Sequence, residues 1–404
     1  MKPNNMHILT VPSWYRTIEN PIVGLFFRDQ ALALQKAGCQ VGVLVAPTLR
    51  SKRDLVEVRR FSDFAVQFSI KDDLGLPIVR TCQWGWFPGF LPKENSQLLI
   101  QAGLLSFERY VNSFGVPDVV HAHGILYGGY LAVHIGKRWQ IPTVLTEHSS
   151  ALMSGVLRPD QRKIVRHTLH NTDKILAVGP ALAQTLNQYC PECAIEVLGN
   201  IVDTEFFIPG DDKVPFESFI FASVANLEPI KGFDILIRAF ALAFRDEPVR
   251  LRIGGSGSQR HSLEVLALDS GIAEQVDFLG ALSREEVRTL LQRSHALVSS
   301  SHHETFGVTL IEAMALGKPV VATRSGGPEA IVNATNGLLA PAGDIEALAA
   351  AMQQMVRDYE RYDPRQIRTD CAARFGEQAI VEELGDIYQS LVTSRVTSQK
   401  RSSG

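Results

Sequence analysis

Glu304 and Glu312 stand with seven residues between them in the stretch SSSHHETFGVTLIEAMALGKPVVATRSGGP, residues 299–328. The stretch reads as the end of a strand, a loop, and a helix opened by Phe306, Gly307 and Val308. Gly317 and Pro319 close that helix in the usual way. Backbone N–H groups at a helix start attract anions, and a glycine there lets a phosphate approach the main chain. Glu312 falls about one turn inside, too deep to cap the helix. Its carboxylate can therefore accept hydrogen bonds from vicinal hydroxyls. The helix is apolar enough to be buried, and a buried Glu needs a partner. The plain alternative is an ordinary βα unit with exposed acids.

Lys231-Gly232 follows the apolar run FIFASVA (219–225) and precedes a helical stretch, which places a compact positive charge at a strand end. A surface lysine is the commoner fate of such a residue. LRIGGSGSQRHSLE (251–264) forms a Gly-rich turn after a strand, but Arg260 breaks the G-x-G-x-x-G dinucleotide fingerprint. Gly326-Gly327 makes a second such turn, and either can be purely structural. In the first half, a Pro/Asn loop and Gly24 stand directly before a helix, another anion-friendly start. His121 and His123 alternate at the end of DVVHAHG, so both imidazoles share one strand face. His148 ends the next strand. A lone histidine is more often structural than catalytic, and no further metal ligands accompany these.

These residues need elements to hold them. Apolar runs at 7–11, 41–46, 118–123, 143–146, 174–178 and 195–198 alternate with helical stretches in the first half. Runs at 219–225, 249–255, 276–280, 296–300 and 319–324 do so in the second, with helices over 232–245, 259–270, 283–293 and 308–316. Near-continuous apolar strands between helices predict parallel sheets covered on both faces. The 404 residues, 45% of them hydrophobic, suit two α/β, doubly wound Rossmann-like domains. The Pro/Gly/Asp-rich stretch 208–218 reads as the linker, giving domains 1–207 and 208–375. A C-terminal helix over 376–393 then packs back on the first domain, and a polar tail 394–404 reads as disordered. Ligands of such sheets bind beyond the carboxyl ends of the strands.

The net charge of -3 argues against a nucleic-acid partner. Residues 1–205 carry +3 and 206–404 carry -6, either by chance or because the first half meets an anionic acceptor. Cys190-Pro-Glu-Cys193 lacks a second Cys or His pair, so zinc is weakly supported, and the five cysteines suit a reducing compartment. No apolar run reaches about 18 residues, which points to a soluble cytoplasmic protein. The basic stretch 49–61 (Arg50, Lys52, Arg53, Arg59, Arg60) and the aromatic stretch 82–92 (Trp84, Trp86, Phe87, Phe90) leave two readings. They form a solvated helix face and a folded loop, or a peripheral contact with the inner membrane.

The Glu304 to Glu312 spacing resembles the E-x7-E signature of glycosyltransferase family 4, whose members are retaining enzymes of the GT-B fold, with two Rossmann-like domains facing a central cleft. The resemblance extends over about residues 7–390, through Lys231-Gly232, the Gly-x-Gly turn, the Gly-Gly loop, VDFLG (276–280), the N-P-x-x-G-x-F-F loop and the H-x-H of His121 and His123. It implies a nucleotide-sugar donor, UDP- or GDP-linked, with no metal and no separate cofactor. Glu304 would contact the sugar, Glu312 the ribose, and Lys231 with the amides of Phe306, Gly307 and Val308 the diphosphate. Gly24 would approach the donor, His123 would sit by its sugar, and His148 would lie near the cleft. The family's usual Arg is Asn226 here, which supplies a hydrogen bond but no charge.

By the same likeness, the implied reaction is hexosyl transfer to a glycan or lipid-linked acceptor in bacterial exopolysaccharide, capsule or lipopolysaccharide assembly. A nucleotide-sugar epimerase of the same shape would instead consume donor without acceptor. A non-catalytic sugar-binding protein would bind without turnover. The oligomeric state is open.

Overall fold

Strand–helix alternation folds as the apolar pattern predicts. The computed structural model describes residues 5–17, 23–50, 67–84, 92–153, 155, 157–210 and 218–402. These fall into two compact units, Met1–Val178 with Ala183–Leu198 and Ile380–Gly404, and Gly179–Leu182 with Gly199–Ala379.

The first unit holds β1 (His7–Pro12), β2 (Gln40–Leu44), β3 (Thr48–Arg50), β4 (Gln67–Asp73), β5 (Leu76–Trp84), β6 (Val119–His123), β7 (Thr143–Glu147), β8 (Lys174–Ala177) and β9 (Ile195–Val197). They form one sheet in the order β3-β5-β2-β1-β6-β7-β8-β9, with β4 antiparallel on β5. The β4–β5 hairpin and β3 go beyond the sequence reading. The hairpin turns through Leu74 and Gly75, both at positive φ. β4, which pairs only with β5, mixes charged with apolar residues, as an edge does.

The second unit holds β10 (Phe219–Val224), β11 (Val249–Gly254), β12 (Val276–Gly280), β13 (Ala296–Ser299), β14 (Val320–Arg324) and β15 (Gly337–Pro341). All pair in parallel, in the order β12-β11-β10-β13-β14-β15. The helix Phe233–Phe244 lays Phe233, Leu236, Ile237, Phe240 and Phe244 into the core of this sheet, and Met352 and Met355 of Ile345–Arg357 join them. The core is largely aromatic and aliphatic, so its stability comes from apolar area removed from water. Helix starts are fixed locally. Ser283 accepts from Glu286 N in a capping box, and Asp344 accepts from Ala347 N.

In both sheets the order reverses at the first strand. Consecutive crossovers run one way from β1 and β10, then the other way from β6 and β13. The crossovers that follow the strands flanking such a reversal leave in opposite directions, and a ligand crevice lies there at the carboxyl edge.

Two boundaries differ from the sequence reading. The chain passes to the second unit between Leu198 and Gly199, ahead of the 208–218 stretch, of which 211–217 lie outside the described residues. Residues 199–207 are held there by tertiary contacts that composition does not reveal. Val202 N donates to Phe375 O at 2.8 Å, and Arg368 donates to the carbonyls of Thr204, Phe207 and Ala315. At the other end, the helix Glu377–Ser402 continues through most of the tail expected to be disordered. Tyr388 on that helix is fully buried in the first unit, its hydroxyl 2.6 Å from His121 Nδ1, and Arg395 reaches Asp173 at 3.3 Å. Those contacts stabilise a polar segment that has no core of its own. Cys190 and Cys193 are joined by a disulfide, a pairing that the reading for a reducing compartment did not anticipate. The tight turn brings their Cα atoms to 5.4 Å, well within bonding reach.

Replacing Arg368 by Met leaves three carbonyls without their charged donor. Such a loss is expected to cost about 2 kcal/mol, read as a lower denaturant midpoint. An unchanged midpoint would mean that residues 199–207 are held by their apolar contacts alone.

Candidate donor site at the strand-order reversal

The reversal in the second unit lies between β10 and β13, so the loops that follow these strands are neighbours. Residues 226–231 come from one and 300–307 from the other. Ser300 Oγ donates to Lys231 O at 3.0 Å, and His302 N donates to Ile230 O at 2.9 Å. Gly232 caps the helix Phe233–Phe244 at φ 62°, and a Cβ there would meet Ser300 O at 2.3 Å. Only glycine lets the two loops approach this closely. The outcome is an ion pair. Lys231 Nζ donates to Glu304 Oε2 at 2.6 Å, with the two side chains 25% and 18% exposed.

The 304 loop is fixed from its other side as well. Glu304 N donates to Ser325 O at 2.9 Å and Gly327 N to Glu304 O at 2.7 Å. A Cβ at Gly327 would lie 2.4 Å from the Phe306 backbone, so the Gly-Gly turn packs directly against the loop. Phe306 is buried against Phe375, and its amide donates to Glu304 Oε1 at 3.5 Å. Gly307, at φ 110°, precedes the helix Val308–Ala315 and offers no side-chain cap. Glu312 lies on the fifth residue of that helix, half-buried. Asn226 is exposed in the loop after β10. The Gly-x-Gly turn closes the same edge, with Ala225 N donating to Gly254 O and Leu227 N to Ser256 O. The unit thus brings Asn226, Lys231, Glu304, Phe306, Gly307, Val308 and Glu312 to one edge of one sheet.

In the first unit the reversal lies between β1 and β6. Gly24, at φ 73°, caps the helix Leu25–Lys36; Asn20 and Pro21 of its loop lie outside the described residues. The Phe27 ring of that helix sits 4.9 Å from His123 and 5.0 Å from His148. His123 Nδ1 and His148 Nε2 are 3.0 Å apart, and His123 Nε2 is buried with no partner among the described residues. His121 stacks on His123 and bonds Tyr388 and Thr146 Oγ1, which makes it the structural member of the pair. Burial holds both imidazoles neutral: His121 is pushed down to about 3 and His123 well below its usual value.

Sequence reasoning missed Glu147. Its buried carboxylate accepts from Ile125 N at 2.6 Å, Ser149 N at 2.7 Å and His148 N at 3.0 Å. It thereby ties the π-helical turn Ile125–Gly129 to the His148 loop. Burial pushes its carboxyl up to about 7 against the pull of those three donors. The signal was present, an acid at the very end of an apolar strand, where burial demands partners. A small apolar depression on the first unit is lined by Ala46, Leu99, Ile100, Leu126, Tyr127 and Tyr130. Of the basic and aromatic stretches, Lys52, Arg53, Arg59, Arg60, Trp86, Phe87 and Phe90 lie outside the described residues. No described helix is long and apolar enough to cross a membrane.

His121 and His123 set a pH dependence. Their folded values lie below the unfolded value near 6.5, so the unfolded chain binds more protons as pH falls. The stability they confer is complete above about pH 6.5 and is lost progressively on acidification. His121→Gln should show a shallower loss between about pH 6.5 and 5 than the wild type. Equal slopes in denaturant titrations would contradict neutral burial.

The family model described as "Glycosyl transferases group 1" matches residues 207–370, and that described as "Glycosyltransferase Family 4" matches residues 23–206. The D-inositol 3-phosphate glycosyltransferase of Corynebacterium aurimucosum is 30% identical over 411 residues, covering 93% of this chain and 92% of that protein. The enzyme of the same name from Corynebacterium jeikeium is 28% identical, covering 95% and 94%. Among solved structures, sucrose-phosphate synthase from Thermosynechococcus elongatus matches with a TM-score of 0.73 at 21% identity, covering 96% of this chain and all of that one. Anabaena HepE in complex with UDP and glucose matches with a TM-score of 0.71 at 19% identity, with the same coverage. The two α/β units with parallel sheets thus match GT-B glycosyltransferase structures, and the chain belongs to glycosyltransferase family 4.

Proposed function

We propose that this glycosyltransferase moves a hexosyl unit, with retention at the anomeric carbon, from a UDP- or GDP-linked sugar to an acceptor hydroxyl. The bond from the anomeric carbon to the diphosphate breaks, the bond to the acceptor oxygen forms, and the acceptor proton is released with the nucleoside diphosphate. The reading rests on the Lys231–Glu304 ion pair beside the Gly307 helix start. In this reading the diphosphate takes over Lys231 and the amides of 306–308, where negative charge grows as the leaving group departs. Glu304 then turns to the sugar hydroxyls and Glu312 to the ribose. Gly24 and Asn226 line the donor, His123 hydrogen-bonds a sugar hydroxyl, and His148 supports His123. These fixed positive groups take the role that a divalent ion would otherwise fill, so we expect transfer without a metal.

Two acceptor readings compete. The curated relatives act, by name, on D-inositol 3-phosphate, a small anionic polyol. The pocket on the first unit favours the other reading. Among the described residues its lining carries no Lys or Arg, and an apolar surface suits the hydrocarbon part of a lipid-linked glycan of the bacterial surface better than a phosphate. Work on such an acceptor would bring the enzyme to the cytoplasmic face of the inner membrane.

The test is acceptor-dependent release of nucleotide from a panel of UDP- and GDP-sugars, with inositol phosphate and polyprenyl-linked glycans as acceptors. Lys231→Ala and Glu304→Gln should each lower kcat/KM about 100-fold, a loss of roughly 2.7 kcal/mol. Chelator should leave turnover intact. Unimpaired turnover in either variant would sink the donor assignment, and turnover on inositol phosphate alone would sink the lipid-linked acceptor.

A further inference from the structure

A second cluster of reactive side chains lies in the first unit. The helix Pro159–Asn171 ends beside the turn Cys190–Cys193, and there His170, Cys190 and Glu192 place ligand-type atoms within 4.8 Å of one another. His170 Nε2 is 2.6 Å from Glu192 Oε1 and 4.0 Å from Cys190 Sγ. Cys193 adds a second sulfur, bonded to Cys190 in this state.

The geometry points to a tetrahedral binding site for a soft divalent cation of the zinc class, formed by Cys190, Cys193, His170 and Glu192 when the disulfide is reduced.

Three observations support it. The first is the donor set. Two thiolates, one imidazole and one carboxylate are four ligands of the types zinc takes, and the two-residue Cys spacing is that of metal-binding turns. The turn is already closed, with Cys193 N donating to Cys190 O at 3.1 Å. The second is the tautomer. His170 Nδ1 lies 2.6 Å from Arg166 O and donates to it, so the metal-binding lone pair belongs on Nε2, the atom that faces the cluster. A backbone carbonyl holding the far nitrogen is the usual support of a ligating histidine. The third is reach. A tetrahedral ion about 2.3 Å from sulfur and 2.0 Å from nitrogen or oxygen separates its ligand atoms by roughly 3.3–3.8 Å. The sulfur–nitrogen distance is already close to this, and His170 and Glu192 are exposed enough to open their shorter contact by rotation.

In the absence of metal, the Nε2 proton joins His170 to Glu192, and the exposed pair contributes little. The cation would replace that proton. Binding takes both sulfurs as thiolates and frees Nε2 of its proton, so zinc affinity should fall on acidification. A small-molecule disulfide such as oxidised glutathione, which takes the two electrons and leaves as two thiols, restores the Cys190–Cys193 bond and expels the ion. The cluster would therefore tie the end of the helix to the turn in two alternative ways, according to the redox state.

The test uses the full chain, reduced with a phosphine, which takes the two electrons and leaves as its oxide. The protein is then incubated with zinc and gel-filtered, and its metal is measured. About one zinc per chain is expected, and none for the oxidised protein or for Cys190→Ser with Cys193→Ser. Cobalt should give a tetrahedral spectrum with a thiolate charge-transfer band. His170→Ala, with its fold checked by circular dichroism, should weaken zinc binding about tenfold or more. No retained zinc in the reduced wild type, no thiolate band, or undiminished affinity in His170→Ala would each overturn the proposal. Donor turnover is not the readout, so failure here is separable from failure of the donor assignment.

Discussion

The reversal of strand order at the first strand of each sheet is the constraint on which the candidate chemistry depends. A parallel sheet has its backbone hydrogen bonds satisfied internally, and helices cover both faces. Its carboxyl edge carries the ligand crevice where successive crossovers leave in opposite directions. In the second unit that point lies between β10 and β13, and it sets residues 73 positions apart, Lys231 and Glu304, within hydrogen-bond distance. In the first unit it lies between β1 and β6, and it sets the Phe27 ring against His123.

The two edges solve opposite electrostatic problems. The second unit keeps opposite charges paired and partly exposed. Removing one partner leaves the other charge half-buried without its counter-ion. Its loops must therefore be rigid, and Gly232 and Gly327 provide this by letting backbones touch where a side chain would intrude. The first unit avoids charge. His121 and His123 are buried neutral, and the Glu147 carboxyl is shifted upward in the same apolar surroundings. Tyr388 completes that network from the far end of the chain, which explains why a helix beyond residue 379 belongs to the first unit.

Residues 199–207 show how composition and packing can disagree about a boundary. A Pro/Gly/Asp-rich stretch marks where chain can be loose, whereas the boundary falls where contacts change partners. Arg368 and Phe375 recruit the segment into the second unit across more than 150 positions. The helix through Ser402 follows the same logic, since polar residues without a core of their own gain one by docking.

The sequence by itself determined most strands of both sheets, though not β3, β4, β5 or β15, because apolar periodicity and helix stops are local. It also marked Lys231, Glu304, Glu312, Gly24 and His123 at strand or helix ends, because the loop chemistry of glycine, acid and lysine is local too. It could not show that Lys231 and Glu304 form one ion pair, that Glu147 clamps three backbone amides, or that His170 reaches the Cys190–Cys193 turn. Each of those depends on which strands are neighbours and on what is buried between them. Long-range contacts of that kind are decided by the packing of the whole sheet, and only the tertiary structure supplies them.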